Sequence, residues 1–396
     1  MFPKLRFKEF DGDLTESKLV ELTSWASGGT PAKDVPEYWG DGIPLTSGAS
    51  MHTNQLYESD VKITKLGLQK GSKLALKDSI LILVRGSMLF NKIPMGITLG
   101  DVAFNQDVKC IRPKQQLAPL FLFQWLHAKE NTIQNKVTAT GIGAGKLDTA
   151  DLQNLKLYKP SLEEQTKIAT FLSAVDEKIS QLTQKHQLLR EYKQGMMQKL
   201  FSQQVRFKAD DKSEFGEWEE KELKDIAEIN PKSKKLPESF IYIDLESVEK
   251  GKLLLQKNIE LQDAPSRAQR LLAKGDVLFQ MVRPYQQNNY YFNLSGEYVA
   301  STGYAQIRTK LDSKFIYYAL HEKTFLDEVM NRCTGTSYPA INSSDLSSIE
   351  ILIPCLEEQT KIANFLSSID QKIEVVAQQI EQAKTWKKGL LQQMFI

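Results

Sequence analysis

The sequence has only three cysteines, Cys110, Cys333 and Cys355, and they lie far apart. It has no C-x-x-C pair, and its four histidines are scattered, so we expect no zinc site. An odd number of scattered cysteines is typical of a reducing compartment, and we predict a cytoplasmic location. No run of about 18 apolar residues occurs, and the sequence therefore predicts no membrane-spanning helix.

Sequence signatures of catalysis are also missing. Residues 141–146 look like a phosphate-binding loop, but a Walker motif needs glycine where Thr140 stands and Ser or Thr where Leu147 stands. There is no dinucleotide fingerprint, and neither Asp-Pro-Pro-Tyr nor Asn-Pro-Pro-Phe occurs as a motif for amino methylation. Asp176-Glu177-Lys178 resembles a magnesium-binding nuclease pair, but it falls on a predicted solvated helix face. We predict no catalytic site and no metal site.

The sequence does contain a long internal repeat. Residues 162–201 begin LEEQTKIATFLS, and residues 356–395 begin LEEQTKIANFLS. The two copies align without a gap at an offset of 194 residues (356 − 162), with about half of their positions identical. A repeat of this size predicts duplicated architecture.

Each copy predicts one long helix. Neither contains proline, and apolar residues recur at alternating spacings of four and three, which is the seam of a coiled coil. We expect the two helices to pack on each other within one chain, and the alternative is a homodimeric coiled coil. The predicted seam residues are Ile168, Leu172, Val175, Ile179 and Leu182 in the first copy, and Ile362, Leu366, Ile369, Ile373 and Val376 in the second.

Four aromatic residues flank this seam, namely Phe171, Tyr192, Phe365 and Trp386. They are candidates for docking a partner protein or the neighbouring domains. The alternative is that they only widen the contact between the helices.

The segments before the two helices share a skeleton. Residues 77–85 and 275–283 both predict a buried strand that ends on an arginine. Residues 19–25 and 223–229 predict short helices, and so do residues 117–127 and 311–321. We therefore predict an α+β fold with two mixed α/β domains, joined by two long antiparallel coiled-coil helices as a tandem duplication. The predicted bounds are 1–160 and 204–353 for the domains, and 161–203 and 354–396 for the helices.

Polar loops in both predicted domains suit DNA contact. Arginine pairs with guanine, Asn or Gln pairs with adenine, and lysine contacts phosphate. Solvated polar loops are the alternative for any single residue. The candidates in the first domain are Ser47, Ser50, His52, Asn54, Arg85, Asn91, Lys92, Asn105, Gln106 and Lys146. Those in the second are Lys232, Lys234, Lys235, Arg267, Gln269, Arg270, Arg283, Tyr285, Gln287 and Asn288.

The repeated LEEQTKIA helices resemble those of the specificity subunit of type I restriction–modification systems. So do SGGTP with YWGDGIPLTSG, and APSRAQRLL with GDVLFQMVRP. This resemblance implies two target recognition domains, each reading one half of a bipartite DNA site, with the helices as an antiparallel spacer. It implies that the chain is not an enzyme. Arg85 lacks the proline that follows Arg283, which leaves the contact residues of the first domain less closely matched to the family.

The resemblance also implies partners. They are double-stranded DNA, two methyltransferase subunits and, through the complex, restriction subunits. S-adenosylmethionine, ATP and magnesium are expected on those subunits and not on this chain. The alternative function is a coiled-coil structural adaptor without sequence readout.

Overall fold

The computed structural model describes residues 3–141, 143–233 and 235–395. The chain divides into two compact units, of which the first comprises Met1–Thr183 with Ala377–Ile396 and the second comprises Gln184–Val376. Each long helix therefore contributes residues to both units.

The first half of the chain alternates short strands with short helices before one long helix. Its strands are β1 Thr15–Lys18, β2 Thr23–Ser27, β3 Trp39–Thr46, β4 Gln55–Leu56, β5 Lys62–Ile63, β6 Lys73–Ala75, β7 Ile80–Leu83, β8 Arg85–Gly86, β9 Met95–Thr98, β10 Val102–Phe104, β11 Val108–Pro113, β12 Thr138–Ala139, β13 Gly145–Lys146 and β14 Lys156–Lys159. Its helices are α1 Leu19–Leu22, α2 Lys65–Gly71, α3 Pro119–Ala128, α4 Glu130–Gln134, α5 Thr149–Gln153 and α6 Leu162–Phe201. Single 3-10 turns lie at Pro36–Tyr38, Gly48–Ser50 and Ser87–Phe90.

The second half repeats this plan. Its strands are β15 Glu219–Glu222, β16 Ala227–Ile229, β17 Ser239–Ile243, β18 Val248–Glu249, β19 Lys252–Leu253, β20 Lys257–Glu260, β21 Ala268–Leu271, β22 Val277–Gln280, β23 Tyr290–Tyr291, β24 Tyr298–Ser301, β25 Tyr304–Thr309 and β26 Glu350–Ile353. Its helices are α7 Leu223–Ile226, α8 Ser313–Ala319, α9 Lys323–Asn331, α10 Ser343–Ser347 and α11 Leu356–Met394. Its 3-10 turns lie at Leu261–Asp263 and Pro284–Gln286.

Both domains contain the same two larger sheets. The four-stranded sheet has the order β5-β3-β10-β6 in the first domain and β20-β17-β24-β21 in the second. In each copy the two central strands are parallel and the outer strands are antiparallel to them. The second sheet is β2-β11-β7-β9-β4 in the first domain and β16-β25-β22-β23 in the other. The predicted duplication is confirmed as two mixed α/β domains.

The central strand β7 explains where the first core forms. All four residues of its sequence ILIL are buried. Strands β11 and β9 pair with its two edges. Phe121 and Trp125 of α3 pack into the same core, and so do Ile168 and Leu172 of α6. The long helix is therefore part of the domain core over its first turns.

Both long helices form as predicted, and within each unit they lie side by side. Residues 162–183 of α6 belong with residues 377–396 of α11 in the first unit, where Phe171 meets Trp386 edge-on at 6.0 Å. The second unit joins the last part of α6 to the first part of α11, and there Lys193 contacts Asp370. The pairing is therefore antiparallel. Ser161 caps α6, because its hydroxyl accepts a hydrogen bond from the Glu164 N–H at 3.3 Å.

A buried glutamate anchors the start of each long helix to its own domain. Glu164 accepts two hydrogen bonds of 2.7 Å from the guanidinium of Arg6. In the second unit the side chain of Glu358 is fully buried, and it accepts hydrogen bonds from Arg206 at 2.7 and 3.1 Å and from Trp218 Nε1 at 3.1 Å. The two glutamates are equivalent at the 194-residue offset.

The next residue of the repeat supports the same anchor. Gln165 accepts a hydrogen bond from the Ala118 N–H at 2.9 Å and donates one to the Pro160 carbonyl at 2.9 Å. Gln359 does the same in the second unit, and its Nε2 donates to the Pro354 carbonyl at 2.8 Å. We call each set of glutamate and glutamine contacts a helix-start junction. The repeated text LEEQ therefore encodes a joint between helix and domain.

The short helices predicted over residues 19–25 and 223–229 are wrong in their second halves. Helix α1 ends at Leu22, and β2 then pairs with β11, placing Trp25 opposite Ile111. Helix α7 ends at Ile226 in the same way, and β16 pairs with β25. Pairing with a neighbouring strand outweighs the local helical pattern at both places.

None of the helices within residues 3–141, 143–233 and 235–395 is long and apolar enough to cross a membrane. In the same described ranges, His, Cys, Asp and Glu side chains form no group of three that suits a metal ion.

Candidate nucleic-acid interface

The end of strand β7 gathers three separate turns of the first domain. The Val84 N–H donates to the Asp107 carbonyl at 2.8 Å, and the Leu147 N–H donates to the Val84 carbonyl at 2.9 Å. Gly48 lies against Leu83, so that a Cβ added there would meet the leucine Cδ1 at 3.1 Å. The turns 47–50, 105–107 and 145–147 therefore meet beside Arg85. We call this set of turns the first strand-end surface.

Two cations lie directly opposite each other on this surface. Strand β13 pairs with β8, and its register places Lys146 across from Arg85. Both side chains are exposed, and neither has an ion-pair partner among the described residues. Like charges at directly opposed positions are unfavourable in an isolated sheet, and an anion between them would relieve the repulsion.

The uncharged candidates on this surface already make some hydrogen bonds within the protein. The Ser50 hydroxyl accepts a hydrogen bond from the Ser47 N–H at 2.9 Å and closes the 47–50 turn. Asn105 accepts a hydrogen bond from the Asp107 N–H at 3.1 Å, while the exposed Gln106 accepts one from Thr30 at 2.7 Å. Their remaining donor and acceptor atoms are the ones left for a ligand.

Four candidates of the first domain lie outside the first strand-end surface. His52 and Asn54 are exposed before β4, at the edge of the five-stranded sheet. Asn91 and Lys92 are exposed after the 3-10 turn Ser87–Phe90. In the part of the chain that the structure describes, none of the four makes a hydrogen bond or ion pair with Arg85.

Strand β22 of the second domain ends in the same kind of convergence. The Met281 N–H donates to the Gly303 carbonyl at 3.0 Å, and the Ile341 N–H donates to the Met281 carbonyl at 3.0 Å. The Thr302 N–H donates to the Arg267 carbonyl at 2.9 Å, which brings a third segment to the same place. We call the segments around Arg267, Gly303 and Ile341 the second strand-end surface, and Arg283 lies on it.

A network of amide hydrogen bonds around the buried Gln280 holds the turn after Arg283. Gln280 donates to the Gln286 side chain at 2.9 Å and accepts from the Asn288 N–H at 3.1 Å. Arg283 and Gln287 both have left-handed backbone angles, with φ of 54° and 52°. Such angles are costly for residues other than glycine and occur often at functional sites. Asn288 accepts a hydrogen bond from the Lys250 N–H at 2.9 Å, whereas Tyr285 is exposed.

The remaining candidates of the second domain follow strand β21. The Ser233 hydroxyl donates to the Gln269 carbonyl at 2.9 Å, which places Lys232 and Lys235 beside this edge strand. Burial lowers the pKa of Arg270, and its Nε makes no hydrogen bond within residues 235–395 or the other described ranges. Lys234 lies outside the described residues.

Sequence reasoning missed Tyr338, which lies in the Thr334–Ala340 loop of the second domain. Its ring is 63% exposed, and the Arg283 guanidinium lies over it, 4.4 Å from the ring centroid. The signal that could have identified Tyr338 was its position in the repeat. Residues 334–341 follow residues 140–147 at the 194-residue offset, and the earlier segment already contained the candidate Lys146.

The aromatic residues of the long helices divide into two classes. Phe171 meets Phe7 at 5.8 Å and Phe365 meets Phe207 at 5.6 Å, so both pack against their own domains. Tyr192 and Trp386 occupy equivalent positions of the repeat and are 51% and 54% exposed. Of the four predicted aromatic residues, these two are therefore the exposed ones.

The predicted seam residues are placed on the inner side of each helix. Ile168, Leu172, Val175, Leu182, Ile362, Leu366, Ile369 and Val376 are buried, whereas Ile179 and Ile373 are half-buried. Asp176, part of the rejected nuclease motif, accepts hydrogen bonds from Gln124 at 2.7 Å and Lys387 at 2.5 Å. Its carboxylate therefore serves the packing of the first unit.

Comparison with known proteins agrees with this geometry. A model of the family described as "Type I restriction modification DNA specificity domain" matches residues 12–190 and 216–385. The chain is 29% identical over 303 residues to the type I restriction enzyme MjaVIII specificity subunit of Methanocaldococcus jannaschii, covering 72% of this chain and 71% of the relative. It is 25% identical over 422 residues to the MjaIX specificity subunit of the same organism, covering 97% and 94%.

The fold also has a counterpart among crystal structures. The S subunit of a type I restriction–modification system from M. genitalium aligns over 100% of this chain and 99% of that one, with a TM-score of 0.63 and 17% identity. The family model covers both halves of the repeat, each with its domain and most of its long helix. This chain therefore belongs to the DNA-specificity family of type I restriction–modification systems, and its two domains are target recognition domains.

Proposed function

We propose that each target recognition domain reads one half of a bipartite DNA site through its strand-end surface. The observation that carries this proposal is the repeated convergence of turns beside Arg85 and beside Arg283. The backbone frame is the same in both domains, whereas the side chains on it differ. Two copies of one frame with different polar side chains suit recognition of two different short sequences.

The charges support contact with DNA at these surfaces. Arg85, Lys146 and Arg283 present cations without an ion-pair partner among the described residues. The chain as a whole carries a net charge of only +2. Affinity for DNA depends strongly on the number of phosphates neutralised, so we expect the isolated chain to bind weakly. Partner subunits would then supply much of the phosphate contact.

The long helices serve as a spacer between the two half-sites. Each helix is tied to its own domain by a buried glutamate, Glu164 or Glu358, and such a joint transmits position better than a flexible linker. Two methyltransferase subunits would dock on this chain, with the exposed Tyr192 and Trp386 as contacts. S-adenosylmethionine would be bound by those subunits, and ATP and magnesium by restriction subunits. The complex would act in the cytoplasm.

A domain exchange tests the proposal. Residues 1–160 are replaced by the corresponding domain of a relative with a different known site, and methylated adenines are mapped in cells that also express the methyltransferase subunit. We expect one half-site to change to the relative's sequence while the other half-site stays the same. If the exchanged chain still directs methylation to the original bipartite site, the first domain does not read DNA.

The same experiment separates the proposal from a structural adaptor. An adaptor without sequence readout would support methylation with no dependence on which domain is present. Exchange of residues 204–353 is the matched control, because it should change the opposite half-site. Both exchanges keep the helix-start junctions, provided that the incoming domain has an arginine equivalent to Arg6 or Arg206.

A further inference from the structure

The side chain of Arg283 is held ready for a ligand that the chain does not supply. Its guanidinium lies over the ring of Tyr338, and it makes no hydrogen bond or ion pair with the residues of the described ranges. A guanidinium has five N–H donors that lie in its plane. Because none of these donors makes a hydrogen bond within the described residues, they remain available to a ligand.

The backbone fixes the position of this arginine from two sides. The Arg283 N–H donates to the Pro339 carbonyl at 2.7 Å, and its carbonyl accepts from the Gln286 N–H at 3.0 Å. The first of these bonds ties the arginine to the loop that carries Tyr338. Pro284 follows and restricts the backbone further. A side chain that starts from a fixed backbone and lies against a ring loses less entropy on binding.

The first domain has the equivalent backbone hydrogen bond at the end of its central strand, but no aromatic ring of the described residues lies over the arginine. The Leu147 N–H donates to the Val84 carbonyl, just as the Ile341 N–H donates to that of Met281. Lys146 and not an aromatic residue lies opposite Arg85 there. A pair of cations suits an anionic ligand, whereas a single arginine over a ring suits a flat partner with two adjacent acceptors.

We propose that Arg283, backed by Tyr338, is the guanine-reading element of the second target recognition domain, an assignment that rests on the proposed function. Guanine presents O6 and N7 side by side in the major groove, and a guanidinium edge matches both acceptors. Tyr338 is a specificity-determining residue because it sets the direction in which this edge points. Gln280 is a positioning residue that holds the turn from inside.

The test uses the full chain together with its methyltransferase subunit, and compares Arg283→Ala, Tyr338→Ala and Tyr338→Phe with the wild type. Methylation rates are measured on duplexes that carry every single-base change in both half-sites. We expect Arg283→Ala and Tyr338→Ala to lower discrimination at one guanine of the second half-site by about 5- to 150-fold. Tyr338→Phe keeps the ring and should keep the discrimination.

A modified base gives an independent readout. Replacing that guanine by 7-deazaguanine removes the N7 acceptor, and the wild type should lose methylation rate while Arg283→Ala is affected much less. Arg85→Ala is the matched control and should leave the second half-site unchanged. If the wild type discriminates at both half-sites but Arg283→Ala discriminates equally well at every position, this assignment is wrong and the proposed function stands. Absence of any half-site preference in the wild type would instead overturn the proposed function.

Discussion

Lys193 donates a hydrogen bond to Asp370 at 2.6 Å, and the residues at their repeat positions form the same pair with their roles exchanged between the helices. Lys387 donates to Asp176 at 2.5 Å in the first unit. The aspartates also accept hydrogen bonds from their domains, Asp370 from Tyr318 and Asp176 from Gln124. Each carboxylate therefore links two long helices and one target recognition domain.

This link predicts a measurable coupling. In a double-mutant cycle with Lys193→Met and Asp370→Asn, we expect a coupling of about 0.5–1.5 kcal/mol in the free energy of unfolding, because both groups are only partly shielded from water. The exposed pair Lys384 and Glu381 is the control and should give no more than about 0.5 kcal/mol. Equal couplings for the two pairs would show that the Lys193 pair has no special role.

Disrupting a helix-start junction should lower the free energy of unfolding more than loss of the Lys193 pair does. Glu358→Gln removes a buried charge that accepts hydrogen bonds from Arg206 and Trp218, and it turns one acceptor into a donor. We expect the free energy of unfolding to fall by about 2–4 kcal/mol in urea denaturation. Glu357→Gln, one residue earlier and exposed, should change it by less than about 0.5 kcal/mol. A similar loss for both variants would contradict the role of the junction.

Stability should depend on pH through His321. Burial lowers the pKa of its imidazole to about 4, while its Nδ1 lies 2.7 Å from the Tyr317 carbonyl oxygen. Between pH 6.5 and 4 the unfolded chain binds a proton that the folded chain does not, so stability falls as pH decreases through this window. The contribution is fully present above pH 6.5, and up to about 2–3 kcal/mol is lost by pH 4.

The measurement compares unfolding free energies of the wild type and His321→Gln at several pH values. The difference between the two proteins should shrink or reverse in favour of the variant as pH falls from 6.5 to 4. His127→Gln changes the equivalent position of the first domain and serves as the control for loss of a histidine. A difference that is independent of pH would rule out a buried neutral His321.

Spacer length predicts a geometric effect on the DNA site. Inserting four residues, about one helical turn, within residues 184–189 lengthens α6 by about 6 Å. If the helices measure the distance between half-sites, methylation mapping should then find a different number of base pairs between them. Alanine substitution of the three exposed polar residues in the same segment, Gln184, Lys185 and Gln187, keeps the length and should keep the spacer. A variant with the insertion that still accepts only the original spacer would disprove the measuring role.

Much of the fold could be predicted from the repeat alone. Heptad spacing and the lack of proline identified both long helices, and the segments 77–85 and 275–283 identified the central strands. The LEEQ text marked the joint, but its partner Arg6 lies 158 residues away from Glu164. A contact over that distance has no local signal, so the chemical reason for the repeated glutamate emerged only from the fold.

The residues of the candidate DNA-binding site were harder to predict than the helices and strands that carry them. Arg283 was found because arginine followed a buried strand, but Tyr338 was missed because it lies 55 residues after Arg283 and no local pattern links the two. Its contact with Arg283 depends on a bridge between Val282 and Ala340, which are distant in sequence. The predicted helices over residues 19–25 and 223–229 extended too far for a related reason. Their last residues form strands, and strand pairing is decided by tertiary neighbours.

The helix-start junctions have a consequence for how new specificities arise. Both halves of the chain use the same eight residues, LEEQTKIA, where a domain meets its helix. Genes of relatives that share this text would offer recombination a crossover point at the joint between domain and helix. Arg6 and Arg206 lie upstream of that point, so each exchanged domain would bring along its own partner for the glutamate. Shuffling there would replace a reading surface in one step and leave every contact of the joint intact.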